Sequence, residues 1–267
     1  MKTINSLLKR IKRKEKTLLI FDYDGTLVPI RNKPDAAVMD SVVRKAVENL
    51  SKFKFLKIAV VTGRSIKDLK KLSGLNTAGI TVYGIHGGEI EVHGKTAGNI
   101  ENNKILKSVK NVYARLRKKL SQADGIIIEN KKYSVAMHYR LSNAPKPALD
   151  IFFEIVKKYE KSGLFKIQKG KKVVELLPCE FSKDKAVSDI MQNNKDYLPV
   201  YFGDDVTDIG GFKEVRKFAG YAVGIKPLSF KNDNLVDFEI EQNELKKFII
   251  KLSSFALTIQ TQGENSL

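Results

Sequence analysis

One cysteine, Cys179, only three histidines and no apolar run near the length of a membrane span are the scarcities that first narrow this chain of 267 residues. A lone thiol excludes an intramolecular disulfide and a cysteine-based metal cluster. His93 and His138 are too scattered to suggest a zinc site. No stretch approaches the roughly 18 apolar residues of a bilayer-crossing helix. The basic N-terminal stretch, with Lys2, Lys9, Arg10, Lys12, Arg13 and Lys14, lacks the apolar region and small-residue cleavage site of a secretory signal. A cytoplasmic protein with no membrane partner is expected. Acidic residues are outnumbered, 30 Asp+Glu against 48 Lys+Arg, which leaves a net charge of +18. That balance suits nucleic acid, an anionic substrate or a lysine-rich proteome alike. The basic residues run along the whole chain and no basic motif is interleaved with aromatics. A dispersed solvated surface is expected, with no specific nucleic-acid partner.

What is present reads as two domains. Buried-strand patterns at 17–23, 55–61 and 80–85 alternate with helical patterns at 36–50 and 65–73, which implies βαβ units and a parallel sheet. In the helix at 36–50, Val38, Val42, Val43, Ala46, Val47 and Leu50 fall at helical spacing. From 88 the character changes. An alternating strand at 88–94 precedes a helix at 102–121, strands at 125–130 and 132–140, a helix at 147–161, and strands near 164–169 and 172–177. That pattern is a small α+β module of antiparallel hairpins. The βα rhythm resumes with a helix at 183–193, a strand at 198–202, a helix near 209–217, a strand at 220–224 and a helix at 241–254; residues 258–267 look frayed. The expectation is an α/β fold. A Rossmann-like parallel-sheet core is made of 1–87 and 178–267, with an α+β cap inserted at 88–177.

The most informative stretch is Asp22-Tyr23-Asp24-Gly25-Thr26-Leu27, directly after the buried strand. Strand side chains repeat with period two, so both carboxylates project toward one point if the extended conformation continues. Gly25 permits a tight turn and close backbone approach to a ligand. Thr62, in Val61-Thr62-Gly63-Arg64, and Asp204-Asp205 also follow predicted buried strands. Open α/β sheets bind ligands beyond the carboxyl ends of their strands, so these groups should share a crevice. Crowded carboxylates repel one another unless a cation is present, and all-oxygen ligands favour Mg²⁺. Lys183, at the start of a helix, adds a positive charge. Carboxylates, a hard cation, a lysine and a hydroxyl describe phosphoryl transfer.

These residues carry a resemblance. Asp-Tyr-Asp-Gly-Thr-Leu (22–27), Val-Thr-Gly-Arg (61–64), Lys183 and Gly-Asp-Asp-Val-Thr-Asp (203–208) resemble the four ordered motifs of the haloacid dehalogenase superfamily phosphatases. Within it, Gly-Ile-His-Gly (84–87), Glu129-Asn130-Lys131, His138-Tyr139-Arg140, Val-Glu-Leu-Leu-Pro (174–178) and Ser182-Lys183-Asp184-Lys185-Ala186 are similar to the trehalose-6-phosphate phosphatases. The resemblance spans roughly 17–252. It implies an Mg²⁺-dependent monomeric phosphatase that hydrolyses trehalose 6-phosphate through an aspartyl-phosphate. Asp22 would be the nucleophile and Asp24 the general acid and base. Asp22, the Asp24 carbonyl and Asp204 would hold Mg²⁺, with Asp205 and Asp208 ligating through water or orienting the ligands. Thr62 and Lys183 would bind phosphoryl oxygens; Arg64, Glu129, Lys131 and Glu175 would hydrogen-bond sugar hydroxyls.

Other readings compete with these. Sucrose phosphate, a mannosyl-phosphoglycerate or a glucosyl-polyol phosphate suits the same cap type. The charge allows a polyanion-binding protein on an inactive scaffold, against which the intact acidic set argues. Asp208 reads almost equally as a helix cap, Glu129 and Lys131 as an exposed strand face, His86 as a turn residue, Cys179 as a small packed residue, and the 9–16 run as a solvated helix. Ile209 and Ile85 depart from the family pattern, which has glutamate after Thr-Asp and often a polar residue before His-Gly.

Overall fold

The computed structural model describes residues 4–12, 16–99, 102–232 and 234–264. In chain order the elements are α1 (Ile4–Lys12), β1 (Thr17–Phe21), α2 (Ser41–Leu50), β2 (Leu56–Val61), α3 (Ile66–Ser73), β3 (Ile80–Gly84), β4 (Glu89–Val92) and β5 (Lys95–Asn99). Then come α4 (Asn103–Lys119), β6 (Ile127–Asn130), β7 (Val135–His138), α5 (Lys146–Glu160), β8 (Phe165–Gly170) and β9 (Val173–Pro178). Last are α6 (Lys183–Gln192), β10 (Leu198–Gly203), α7 (Ile209–Lys217), β11 (Tyr221–Lys226), β12 (Phe238–Glu241) and α8 (Gln242–Glu264). The chain forms two compact units, 1–98 with 183–267, and 99–182.

The larger unit is built on an eight-stranded sheet in the order β12-β11-β10-β1-β2-β3-β4-β5, parallel from β12 through β3. Both faces of its central strands are covered, so β1 reads as an unbroken apolar run with every residue buried. Leu19 and Phe21 join one core cluster with α2 and α8, while Leu18 and Ile20 join another with α6 and α7. The chain leaves β1 toward β2 and β3 and later returns to its other side as β10. The strand order therefore reverses at β1, and loops after β1 and β10 part there to leave a crevice.

The units part at 98/99 and 182/183, not at the 87/88 and 177/178 read from the pattern. Alternation reveals a strand at 88–94 but not the sheet it joins. β4 pairs antiparallel with β3, from Thr81↔Val92 to Gly84↔Glu89, and β5 extends that edge. At the second junction, Cys179 N–H donates to Leu164 O at 3.0 Å and Phe181 meets the Tyr133 ring edge-on at 6.1 Å, which ties 178–182 to the smaller unit. Cys179 itself is exposed, not packed.

Helix boundaries follow their caps. α2 starts after Asp40, whose side chain accepts from Val42 N–H (2.8 Å) and Val43 N–H (3.4 Å), a cap worth about 1 kcal/mol. Val38 therefore precedes the helix, and Val42 faces outward. α8 continues to Glu264, through the stretch expected to fray; residues 265–267 lie outside the described residues. α1 buries Leu7, Leu8 and Ile11 and exposes Lys9 and Arg10, so it is amphipathic rather than solvated all round; residues 13–15 lie outside the described residues. Among the described residues no helix is long and apolar enough to cross a membrane.

The smaller unit is a four-stranded antiparallel sheet, β6-β7-β9-β8, with α4 and α5 packed against it. Val135, Met137, Val174 and Leu176 are buried and occupy one face by alternation. The opposite face carries a row set by register: Glu129↔Ala136, Ala136↔Glu175 and Glu175↔Gln168.

Candidate active site

The β1 strand ends at Phe21, where the loop turns instead of extending. Gly25 takes φ +86°, and its N–H donates to Val28 O at 2.8 Å. A Cβ at that position would lie 2.3 Å from an Asp204 carboxylate oxygen, so only glycine lets the backbone pass so close. The period-two alternation stops with the strand, and the two aspartates part company. Asp22 is 4% exposed and accepts a 2.6 Å hydrogen bond from Lys183 Nζ. Asp24 is more open and accepts twice from Arg64, Nε to Oδ2 and Nη2 to Oδ1, each at 2.7 Å.

Asp22, Asp204 and Asp208 are all buried, and each offers an oxygen within 4.8 Å of the others. Lys183 Nζ also donates to Asp208 Oδ1 at 2.6 Å, the oxygen that receives Tyr201 OH at 2.7 Å. Asp208 Oδ2 accepts the N–H groups of Asp204 and Asp205, both at 3.0 Å. Asp208 makes no side-chain cap on the helix that follows, α7; its Oδ2 instead closes the turn before it, on the N–H groups of Asp204 and Asp205. Asp205, expected among the metal ligands, turns its carboxylate to the Ser229 hydroxyl and lies outside the three-carboxylate group. Of the two residues expected to ligate through water or orient the ligands, Asp208 is the one that joins Asp22 and Asp204.

Burial pushes the Asp22 carboxyl well above the usual carboxylate range; Lys183 opposes this, while Asp208 and Asp204 add to it. Lys183 is itself destabilised as a cation by burial, but Asp208 and Asp22 outweigh that and raise its pKa, so it stays charged. Burial and the Asp208 charge likewise push the Tyr201 phenol up, keeping it a donor. Acidic crowding with oxygen-only donors has the chemistry of a site for a hard metal ion, and Asp22, Asp204 and Asp208 are the group whose oxygens lie close enough together to hold one.

Thr62 is buried just beyond β2, and its Oγ1 accepts Arg64 N–H at 3.1 Å. Arg64 is expected at a sugar; in the structure its guanidinium is engaged by Asp24 and by Pro34 O at 2.8 Å. His86 shapes the turn after β3 at φ 55°, preceded by Ile85 at φ 48°. The His86 ring lies so near residue 63 that a Cβ there would meet Nε2 at 2.6 Å, which accounts for Gly63.

On the polar face of the smaller unit, Glu175 accepts Lys131 Nζ at 3.1 Å and the Ser134 hydroxyl, and all three residues are buried. Glu129 Oε2 lies 2.8 Å from His138 Nε2. Burial pushes the Glu129 carboxyl up, but Lys131 and the His138 hydrogen bond prevail and hold it below the ordinary value of 4.5. Glu129 and Glu175 thus share one row of the sheet, Glu175 ion-paired with Lys131 and Glu129 hydrogen-bonded with His138. Sequence reasoning missed Tyr201 and Ser134, and it gave His138 no role. The one signal for Tyr201 was a hydroxyl inside an otherwise apolar strand just before Gly203.

Similarity to known proteins agrees with this arrangement. A probable trehalose-phosphate phosphatase of Oryza sativa subsp. japonica is 30% identical over 255 residues, covering 90% of this chain and 66% of the relative. A second, of Arabidopsis thaliana, is 30% identical over 261 residues, covering 90% and 68%. The chain spans about two thirds of the length of these relatives. The solved C-terminal domain of Candida albicans trehalose-6-phosphate phosphatase shares the fold at a TM-score of 0.78 and 20% identity, covering 93% of this chain and 96% of that one. Residues 20–240, which hold every residue of the site described above, match the trehalose-phosphatase family, and the chain belongs to that family.

Proposed function

We propose that this protein is a phosphoric monoester hydrolase that converts trehalose 6-phosphate to trehalose and phosphate. The observation that carries the proposal is buried Asp22, held by Lys183 inside a three-carboxylate cluster at the crevice of the parallel sheet, in a chain of this family. Asp22, Asp204 and Asp208, with the Asp24 carbonyl, are the groups to hold Mg²⁺. When bound, that ion supplies the positive charge that lets an anionic nucleophile approach an anionic phosphoryl group.

In the proposed reaction an Asp22 oxygen attacks phosphorus and the bond to the sugar oxygen breaks, while Asp24 delivers a proton to the departing alkoxide. Asp24 then takes a proton from water, whose oxygen attacks the aspartyl-phosphate; phosphate leaves and Asp22 is regenerated. Lys183 has three N–H donors, two of them on Asp22 and Asp208. The third is proposed to meet a phosphoryl oxygen, together with Thr62. Arg64 orients the Asp24 carboxylate and reaches sugar hydroxyls when that pair opens. Glu129, Lys131 and Glu175 are proposed to bind sugar hydroxyls, since a preset array of buried donors and acceptors rejects analogues without matching groups. Phosphate release from a panel of sugar phosphates, with Mg²⁺ or with a chelator, tests the proposal. Trehalose 6-phosphate should show the highest kcat/KM, and the chelator should remove it. A better result for sucrose phosphate, mannosyl-phosphoglycerate or a glucosyl-polyol phosphate overturns the substrate, and silence across the panel overturns the chemistry.

A further inference from the structure

Within the larger unit a cavity of about 330 Å³ opens between α2, the first turns of α8 and the loop that follows Asp22. That is the size of a small-molecule site. Val38, one of the six large apolar side chains that stand exposed among the described residues, lines the cavity at 60% exposure and offers an apolar contact at its mouth.

The lining chemistry defines the occupant. Leu27, Met39 and Leu245 supply an apolar wall, and Gln242 and Asn243 supply amides. Two cations, Arg31 and Lys246, stand against one carboxylate, Asp40. Asp40 is already compensated by Lys246 at 2.8 Å and by two backbone N–H groups. The balance is positive, so an anionic head fits beside Arg31 and an apolar body fits the wall.

The cavity is also wired to the acidic cluster. Its inner wall includes Thr26, whose carbonyl accepts Gln242 Nε2 at 3.1 Å and whose hydroxyl donates to Asp204 Oδ1 at 3.4 Å. A ligand that draws on the Gln242 amide therefore acts two hydrogen bonds from Asp204. We infer that this cavity binds a small anion with an apolar body, and that its occupancy is linked to the phosphoryl site through Gln242, Thr26 and Asp204. The linkage rests on the proposed phosphatase reading; the binding does not. Linkage is reciprocal, so substrate and ligand change each other's affinity by one factor.

The chain contains no tryptophan, so Val38→Trp puts a unique fluorophore at the cavity mouth without disturbing a buried residue. Anilinonaphthalene sulfonate, an anion with an aromatic body, serves as the probe. Energy transfer to it should saturate, and adding the exposed substitution Arg31→Glu should weaken binding about tenfold or more. Transfer that does not saturate, or that ignores Arg31→Glu, overturns the site. Saturating probe should also change kcat/KM for trehalose 6-phosphate by about threefold or more in the Val38→Trp protein, and not after Arg31→Glu is added. Unchanged turnover overturns the linkage. A protein with no turnover before probe is added overturns the phosphatase reading and the linkage with it, while the binding result stands.

Discussion

In the larger unit the charged groups collect where parallel strands end; in the smaller unit they lie across the middle of an antiparallel sheet. The first arrangement is made by loops. Each strand hands over one or two groups at its carboxyl end, and a glycine turn or a helix start aims them. The second is made by register, since Glu129 and Glu175 fall in one row because both pair with Ala136. The energetic situations differ as well. Lys183 sets one positive charge between two buried carboxylates, and a third carboxylate, Asp204, offers an oxygen within 4.8 Å of theirs, so in this cluster acids outnumber the lysine. In the smaller unit Lys131 and Glu175 pair one-to-one. Buried ion pairs are weak devices for stability, because desolvation consumes most of the attraction. The proposed chemistry therefore belongs with the acid-rich cluster of the larger unit, and the proposed sugar contacts with the Lys131–Glu175 pair of the smaller one.

Substitutions separate the two regions, and the largest effect belongs to Asp22→Asn. It should lower turnover of every phosphate ester by roughly 10⁴-fold or more, since a residue acting as one unit with its neighbours takes most of the rate with it. Full activity with an unchanged circular dichroism spectrum would remove Asp22 from the mechanism. Asp208→Ala strands Lys183 beside Asp22 alone and deprives Tyr201 and two backbone N–H groups of their acceptor. Urea unfolding of the larger unit should lose about 3–5 kcal/mol. A loss below about 1 kcal/mol would mean that the cluster is not interlocked as drawn.

Glu175→Gln should discriminate by substrate. It should lower kcat/KM for trehalose 6-phosphate roughly ten- to a hundredfold, the worth of a hydrogen bond to a charged group. An aryl phosphate without hydroxyls should be hydrolysed at nearly the native rate. Equal losses on both substrates would deny the smaller unit its place in sugar selection. The smallest effect concerns pH. The folded-state pKa of Glu129 is depressed below 4.5, so its stabilising contribution is present above 4.5 and fades as pH falls through the depressed value. Glu129→Gln should cost within about 1 kcal/mol at neutral pH and nothing in more acidic solution. A cost that grows on acidification would reverse the assigned sign.

Legibility in the sequence follows the same division. Residues 22–27, 61–64 and 203–208 are contiguous words, each the end of one strand, and their apolar runs announce burial on both faces. The alternating runs of the smaller unit identified β6 through β9 to within a few residues, but no local word says that Ser134 lies beside Glu175, because that contact spans 41 positions and depends on β7 pairing with β9. The assignment of β4 to the large sheet was hidden for the same reason. Asp205 and Asp208 show a finer limit: sequence supplies both carboxylates, and the turn after β10 decides which one joins Asp22 and Asp204.

By itself, then, the sequence determined the parallel core, the antiparallel module, and the strand-end acids with Lys183 among them. Those features depend on short-range periodicity and on residue chemistry at strand ends. Only the tertiary structure decided that Asp22 and Asp24 serve different partners, that Tyr201 and Asp208 brace Lys183, and that Glu129 and Glu175 share a row. Each of these depends on where a turn or a sheet register sends a side chain, and a one-residue change in either would send it to the opposite face.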